Sequence, residues 1–146
     1  RRLKHSGLPD GLIERVIYME FQSNTPIYLQ LIDMLKLQIV SGRLKLGDKL
    51  PSVRDLAMEY GVNPNTMQKA LGQLEWEKLV YTVRTTGRYV TEDAALIQAL
   101  RKELAEMRIS EFFAELKKLG YSKEEIRQLM ESYIEEMVED DSINTV

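Results

Sequence analysis

Apolar residues recur every three or four positions along most of this chain and alternate over one short stretch. The first stripe is Tyr28, Leu31, Ile32, Leu35 and Ile39, one face of a helix over residues 26–41. Thr25 suits its cap, Pro26 its first position, where a missing N–H costs nothing, and Gly42 its end. A short helix is expected over 53–60, with Ser52 and Asp55 as a capping pair, Leu56 and Ala57 inward, and Gly61 as a left-handed stop. A third helix starts from Asn63 as cap and Pro64 at the first position and runs to about Lys78. Met67, Ala70, Leu71 and Leu74 form its apolar stripe, while Asn65, Thr66, Gln68, Lys69 and Gln73 take the other faces.

Residues 80–84 and 88–91 then read as two strands, joined by Thr85-Thr86-Gly87 with Gly87 free to take a positive φ. Two strands alone are marginal in water, so residues 49–50 are expected to add a short third one. Helical spacing returns with Ile97, Leu100, Leu104 and Met107 and continues through Phe112, Phe113, Leu116 and Leu119. Gly120 is a C-cap candidate, and Ser122 with Glu125 makes a capping box for a last helix. That helix carries Ile126, Leu129, Met130, Tyr133, Ile134 and Met137 on one side. Beyond Val138 the chain turns acidic and is expected to fray.

The predicted fold class is therefore mainly α with a small β-hairpin: a winged helix-turn-helix domain followed by a short two-helix dimerisation tail. In that plan the second helix of the turn motif fits a DNA major groove. The expected division is an N-terminal arm at 1–18, the winged domain at 19–93 and the tail at 94–146. Met19 looks like a natural start, so the arm is read as vector-derived or as an upstream extension, with a genuine arm as the alternative.

Composition narrows the possibilities. The chain has 146 residues, 44% of them hydrophobic and 29% charged, and no cysteine. Disulfides, thiolate zinc sites and thiol catalysis are thereby excluded, and a reducing cytoplasm fits. No apolar run approaches the roughly 18 residues of a membrane span, so no membrane partner is expected. The single histidine, His5, builds neither a zinc site nor a catalytic triad alone. The acidic group Glu135, Glu136, Glu139, Asp140 and Asp141 lacks the glycine-interrupted loop of an EF-hand and reads as a solvated helix end. No cofactor, metal or catalytic residue is assigned, and the chain is not read as an enzyme.

Net charge is −3, which is unpromising for a DNA binder until it is mapped. Residues 26–93 carry nine basic and eight acidic groups, whereas residues 94–146 carry seven and twelve. The excess acid sits in the tail, and phosphate binding depends on where Lys and Arg lie. The start Asn63-Pro64-Asn65-Thr66 turns backbone N–H groups outward at the positive end of a helix, where with the Thr66 hydroxyl they suit phosphate oxygens. Asn65, Gln68 and Lys69 suit base edges, since amides pair with adenine and lysine with guanine. Arg84 and Arg88 flank the hairpin turn and are read as DNA contacts rather than solvated strand ends; Lys49 and Arg43 are lesser candidates.

The chain resembles the GntR family of bacterial transcription regulators, and within it the YtrA-like branch. The similarity rests on Pro26-Ile27-Tyr28, on Gly47 to Ala57 (GDKLPSVRDLA), on Gly61 to Leu71 (GVNPNTMQKAL) and on the wing Gly87-Arg88-Tyr89-Val90. It is strong over residues 20–93 and weaker around Leu119-Gly120-Tyr121-Ser122. The resemblance implies that Arg54 contacts DNA, that Asn63, Asn65 and Thr66 open the recognition helix, and that Gly87, beside Thr86, lets backbone approach the minor groove. Family members often carry a basic residue at the position of Gln68, a glycine at that of Thr85 and a threonine at that of Arg88, which leaves base preference open. The resemblance further implies a repressor, cytoplasmic, of a transporter operon.

The tail stripes are wider than a helix pair needs. Leu100, Leu104, Met107, Phe112, Phe113 and Leu116 on the first helix, with Ile126, Leu129, Met130, Tyr133, Ile134 and Met137 on the second, are read as a homodimer interface. A hairpin folded onto its own domain is the alternative. Trp76 is read as packing against the tail, with stacking on a ligand as the alternative. The expected partners are a double-stranded, (pseudo)palindromic DNA operator and a second copy of the chain; a winged module that binds protein instead of DNA is the competing reading. The tail is small for a ligand pocket of roughly 300 Å³ or more, and no small-molecule effector is assigned.

Overall fold

The computed structural model describes residues 24–143, with side chains to Val138. The arm at 1–18 and the start at Met19 lie outside the described residues, as does His5. Two compact units are distinguished, the first ending at Ile97 and the second beginning at Gln98.

Helix α1 spans Ile27–Val40 and buries Leu31, Ile32, Leu35 and Ile39. Its cap is Pro26 rather than Thr25, because Pro26 keeps an extended ψ of 136° and so stands one position outside the helix. The Pro26 carbonyl accepts from the N–H groups of Leu29 and Gln30, and no side chain caps this end.

Helix α2 spans Val53–Tyr60, with Ser52 Oγ accepting from Asp55 N–H at 3.1 Å. Gly61 closes it at φ 66°, and Val62 N–H reaches back to Ala57 O. Helix α3 spans Pro64–Trp76, two residues shorter than the spacing predicts. It closes in the same way without a glycine: Lys78 takes φ 63°, and Leu79 N–H donates to Leu74 O at 2.9 Å. A left-handed lysine costs roughly 1–2 kcal/mol. The return seats Leu79 in the core, 2% exposed, a burial that contributes about 1.5–3 kcal/mol and offsets that strain.

Strands β1, Val80–Val83, and β2, Gly87–Val90, pair antiparallel; β1 ends one residue earlier than expected, and β2 keeps its length but begins and ends one residue earlier. Register puts Val80 opposite Val90 and Thr82 opposite Arg88 on one face, and Tyr81 opposite Tyr89 and Val83 opposite Gly87 on the other. The anticipated third strand is a single bridge between Lys49 and Tyr89. It is flanked by Val90 N–H donating to Asp48 O and Leu50 N–H donating to Arg88 O, both at 2.8 Å.

α3 is the hub of this unit, packing against α1, α2 and β1. Leu35, Met67, Leu71, Leu74, Val80 and Val90 are fully buried there. Trp76 is 78% exposed. It falls at the last residue of α3, on the flank opposite the stripe that carries Leu71 and Leu74.

Helices α4, Ala94–Lys118, and α5, Lys123–Ile143, follow. Asp93 Oδ1 accepts from Leu96 N–H at the start of α4. Gly120, at φ 93°, turns the chain, and Tyr121 N–H returns to Leu116 O. The capping box forms in both directions: Ser122 N–H donates to Glu125 Oε2 at 2.7 Å, and Glu125 N–H to Ser122 Oγ at 3.2 Å. The backbone stays helical to Ile143 instead of fraying after Val138; neither glycine nor proline interrupts 121–143. In the second unit Leu100 and Ile126 are buried, and Leu104, Phe113, Leu116 and Met130 are half-buried. Met107, Phe112, Leu129, Tyr133, Ile134 and Met137 are 44–64% exposed.

Candidate nucleic-acid interface

The surface built on α3 and the hairpin gathers most of the expected contact residues within the first unit. Burial of Met67, Ala70, Leu71 and Leu74 on one side of α3 fixes what faces outward. Asn65, Gln68 and Lys69 are exposed there and Thr66 is half-buried. Arg54 stands exposed on the first turn of α2. Arg84 and Thr86 are exposed at the hairpin turn, where Thr86 N–H donates to Val83 O.

The start of α3 is more committed than the sequence suggests. Asn63 Oδ1 accepts from Asn65 N–H at 2.8 Å, and Asn63 O accepts from Met67 N–H. Pro64 has no N–H. The fan of outward donors therefore reduces to Thr66 N–H with the Thr66 hydroxyl. Asn63 acts in the protein as a cap, its oxygen occupied.

Two of the expected cations are also held by the protein. Lys69 Nζ lies 3.7 Å from the centre of the Tyr28 ring. Arg88 shares a hairpin face with Thr82, Val80 and Val90, so its side chain turns toward the helices. There its Nε stands 3.9 Å from Glu75 Oε2, buried and without a hydrogen bond. Arg88 thus lies on the inner side of the hairpin rather than free at the turn. Sequence reading missed Glu75 because this contact depends on strand register, which a one-residue slip would invert.

The turn holds two left-handed residues. Gly87 lies at φ 134°, as expected, and Thr85 at φ 70°, which was not foreseen for a β-branched residue. A Cβ on Gly87 would come within 3.0 Å of Lys49 Cε, so Lys49 runs directly across the glycine. The signal that could have found Thr85 is the glycine that the family resemblance often implies at that position.

Behind this surface, Lys36 of α1 pairs with Glu77 at 2.7 Å, and Gln73 Nε2 donates to the same carboxylate at 2.9 Å. Partial burial pushes the Glu77 carboxyl up, but the Lys36 and Gln73 hydrogen bonds and the Lys36 charge outweigh it, so the net shift is below the usual range. Tyr60 is pushed up to about 12, first by burial and then by Glu59, with Arg43 opposing. Among the described residues, no group of three or more His, Asp or Glu side chains is arranged to hold a metal ion, and no helix is long and apolar enough to cross a membrane.

In the second unit, a groove of about 620 Å³ is lined by Phe113, Met130 and Ile134 together with Lys123, Glu124, Arg127 and Glu131. Its volume exceeds what was expected of so short a tail. Arg127 bonds Glu124 at 2.6 Å and 3.1 Å and approaches Glu131 at 3.6 Å.

Comparison with known proteins agrees with this geometry. The profile of bacterial regulatory proteins of the gntR family matches residues 27–90. The chain is 37% identical over 116 residues to the HTH-type transcriptional regulator YhcF of Bacillus subtilis, covering 80% of this chain and 96% of that one. It is 39% identical over 112 residues to the HTH-type transcriptional repressor YtrA of Bacillus subtilis, covering 71% and 86%. A GntR family transcriptional regulator from Listeria monocytogenes has a TM-score of 0.70 at 41% identity, covering 77% of this chain and 98% of that one. A transcriptional regulator from Oenococcus oeni gives 0.66 at 32%, covering 80% and 98%.

The fold and its exposed helix define a winged helix-turn-helix transcription regulator. The chain belongs to the GntR family and to its YtrA-like branch.

Proposed function

We propose that this chain is a cytoplasmic, dimeric repressor that binds a (pseudo)palindromic operator, with transporter genes as the class it controls. The observation that carries the reading is the exposed side of α3, where Asn65, Gln68 and Lys69 stand clear of a fully buried opposite stripe. The repressor role is supported by the similarity to YtrA of Bacillus subtilis, a transcriptional repressor.

In this reading residues 19–93 form the DNA-binding domain and residues 94–146 the dimerisation tail. Asn65, Thr66, Gln68 and Lys69 enter the major groove. Arg54 neutralises a phosphate, Asn63 sets the helix start, and Arg84, Thr86, Gly87 and Arg88 form the wing. The open tail residues Met107, Phe112, Leu129, Tyr133, Ile134 and Met137 are covered by a second copy, and the groove beside Phe113 accepts part of it. Twofold pairing then sets two recognition helices about 34–36 Å apart, one helical turn of DNA.

The test is selection of bound duplexes from a random-sequence pool, followed by titration across salt concentrations. Arg54→Ala should weaken binding to all duplexes, whereas Asn65→Ala should shift sequence preference. If neither variant changes affinity for the selected duplex, the proposed face is wrong.

A further inference from the structure

We propose that Tyr28 is a positioning residue for Lys69, holding its ammonium at the α1–α3 seam so that it meets one defined point on the duplex. This rests on the DNA-binding reading above and deepens it. Three observations meet here. The Lys69 Nζ sits 3.7 Å from the ring centre, well inside the range of a cation–π contact. Tyr28 is half-buried on the first turn of α1, an element locked to α3 through Leu31, Ile32 and Leu35. Lys69 itself is exposed on α3, one turn beyond Asn65.

The consequence follows from what lysine is. Its charge is a point at the end of four rotatable bonds, and a free lysine on a recognition helix samples many phosphates and base edges. Over an aromatic face the ammonium keeps its attraction to the ring, while the N–H donors not turned to the ring remain able to reach outward. The ring therefore restricts where the charge is, without consuming it. Lys69 is the one Lys or Arg of α3, so its placement sets where this helix presents a cation.

The experiment compares Tyr28→Phe, Tyr28→Leu, Lys69→Met and the Tyr28→Leu/Lys69→Met double variant. Each is titrated against a duplex selected by the wild-type protein and against single-base variants of it, with thermal midpoints recorded. Arg54→Ala is the control for DNA binding. Tyr28→Leu is expected to weaken binding by about two- to five-fold, the strength of an exposed cation–π contact, and to blunt discrimination at one base position. Tyr28→Phe, which keeps the ring, should stay close to wild type. In the double variant the two losses should not add, since both act through one ammonium. In the free protein, the Lys69 ε-methylene protons should be shifted upfield by the ring in wild type and Tyr28→Phe, and not in Tyr28→Leu.

The inference is overturned if those protons show no ring shift. It is also overturned if Tyr28→Leu binds and discriminates as wild type while Arg54→Ala weakens binding, or if the losses are simply additive. If Arg54→Ala, Lys69→Met and Tyr28→Leu all leave binding unchanged, the DNA-binding reading fails, and this inference with it.

Discussion

Arg88 and Glu75 face one another across the inner side of the hairpin, Nε to Oε2 at 3.9 Å, with the arginine nitrogen buried and lacking a hydrogen bond. At that distance the contact is a loose electrostatic one. If Arg88 contacts DNA as proposed, the Glu75 carboxylate competes with phosphate for its guanidinium. Glu75→Gln should tighten binding to a selected duplex by about two- to five-fold, the scale of a partly exposed ion pair, and steepen its salt dependence. Filter-binding titrations over a salt series measure both. Unchanged affinity together with an unchanged slope would mean that Arg88 serves the fold alone.

The hairpin turn stores strain at a position where glycine would relieve it. Thr85 holds φ 70°, unfavourable for a β-branched residue. Thr85→Gly should raise stability by up to about 1 kcal/mol, strain relief less the entropy of a freer unfolded chain. Gly87→Ala should do the reverse, costing about 1–2 kcal/mol, since a Cβ must adopt φ 134° and push aside Lys49 at 3.0 Å. Urea denaturation of the two variants decides it, and equal midpoints would remove the strain argument.

Both helices of the turn motif start on a side-chain oxygen. Ser52→Ala and Asn63→Ala should each cost about 1 kcal/mol of stability. They should differ in function. Asn63 sets the first turn that carries Asn65 and Thr66, so its loss should also weaken DNA binding when measured well below the melting temperature, whereas Ser52→Ala should bind nearly as wild type.

Acid should loosen α1 from the end of α3. The Glu77 carboxyl lies below its usual range in the folded protein, so the folded state holds this proton less tightly than the unfolded chain does. Its contribution to stability is complete above the unfolded carboxylate value and is lost as pH falls through the lower folded value. Glu77→Gln removes the ionisation. The gap in thermal midpoint between wild type and Glu77→Gln should therefore narrow as pH falls from about 6 to about 3, across the carboxylate range. A gap that stays constant would show that the Lys36 pairing does not differ between the two states.

Charge on the open side of α5 should separate dimerisation from folding. Tyr133 and Met137 are 64% and 52% exposed in the single chain, so Tyr133→Asp/Met137→Asp removes little burial within it. Sedimentation should show a monomer, the far-ultraviolet spectrum should stay helical, and DNA affinity should fall at least ten-fold as the second recognition helix is lost. A dimer that survives both charges would place the interface elsewhere.

Helix positions and the core were legible because their signals are local. The stripes through Leu31 and Leu71, the caps at Ser52 and Asn63, and the stop at Gly61 all stand where spacing placed them. Three features were not legible. Lys78 ends α3 in a left-handed conformation because burying Leu79 outweighs the local cost, which is a tertiary effect. Arg88 turns inward through a register that no single strand announces. Lys69 finds Tyr28 across forty residues of sequence, a contact only the packing of α1 on α3 creates. The exposed face of α3 was foreseen, but that Lys69 on it and Arg88 on the hairpin are held by Tyr28 and Glu75 was not.

The chain has one tryptophan, and it sits bare at the last residue of α3. Indole emission responds to the polarity around the ring, so the molecule carries its own optical reporter at the far end of the helix offered to DNA. Excitation near the red edge of protein absorption would sample this site alone, without any dye. A blue shift on mixing with duplex, or on concentrating the protein, would reveal in real time which of the two associations shields that end.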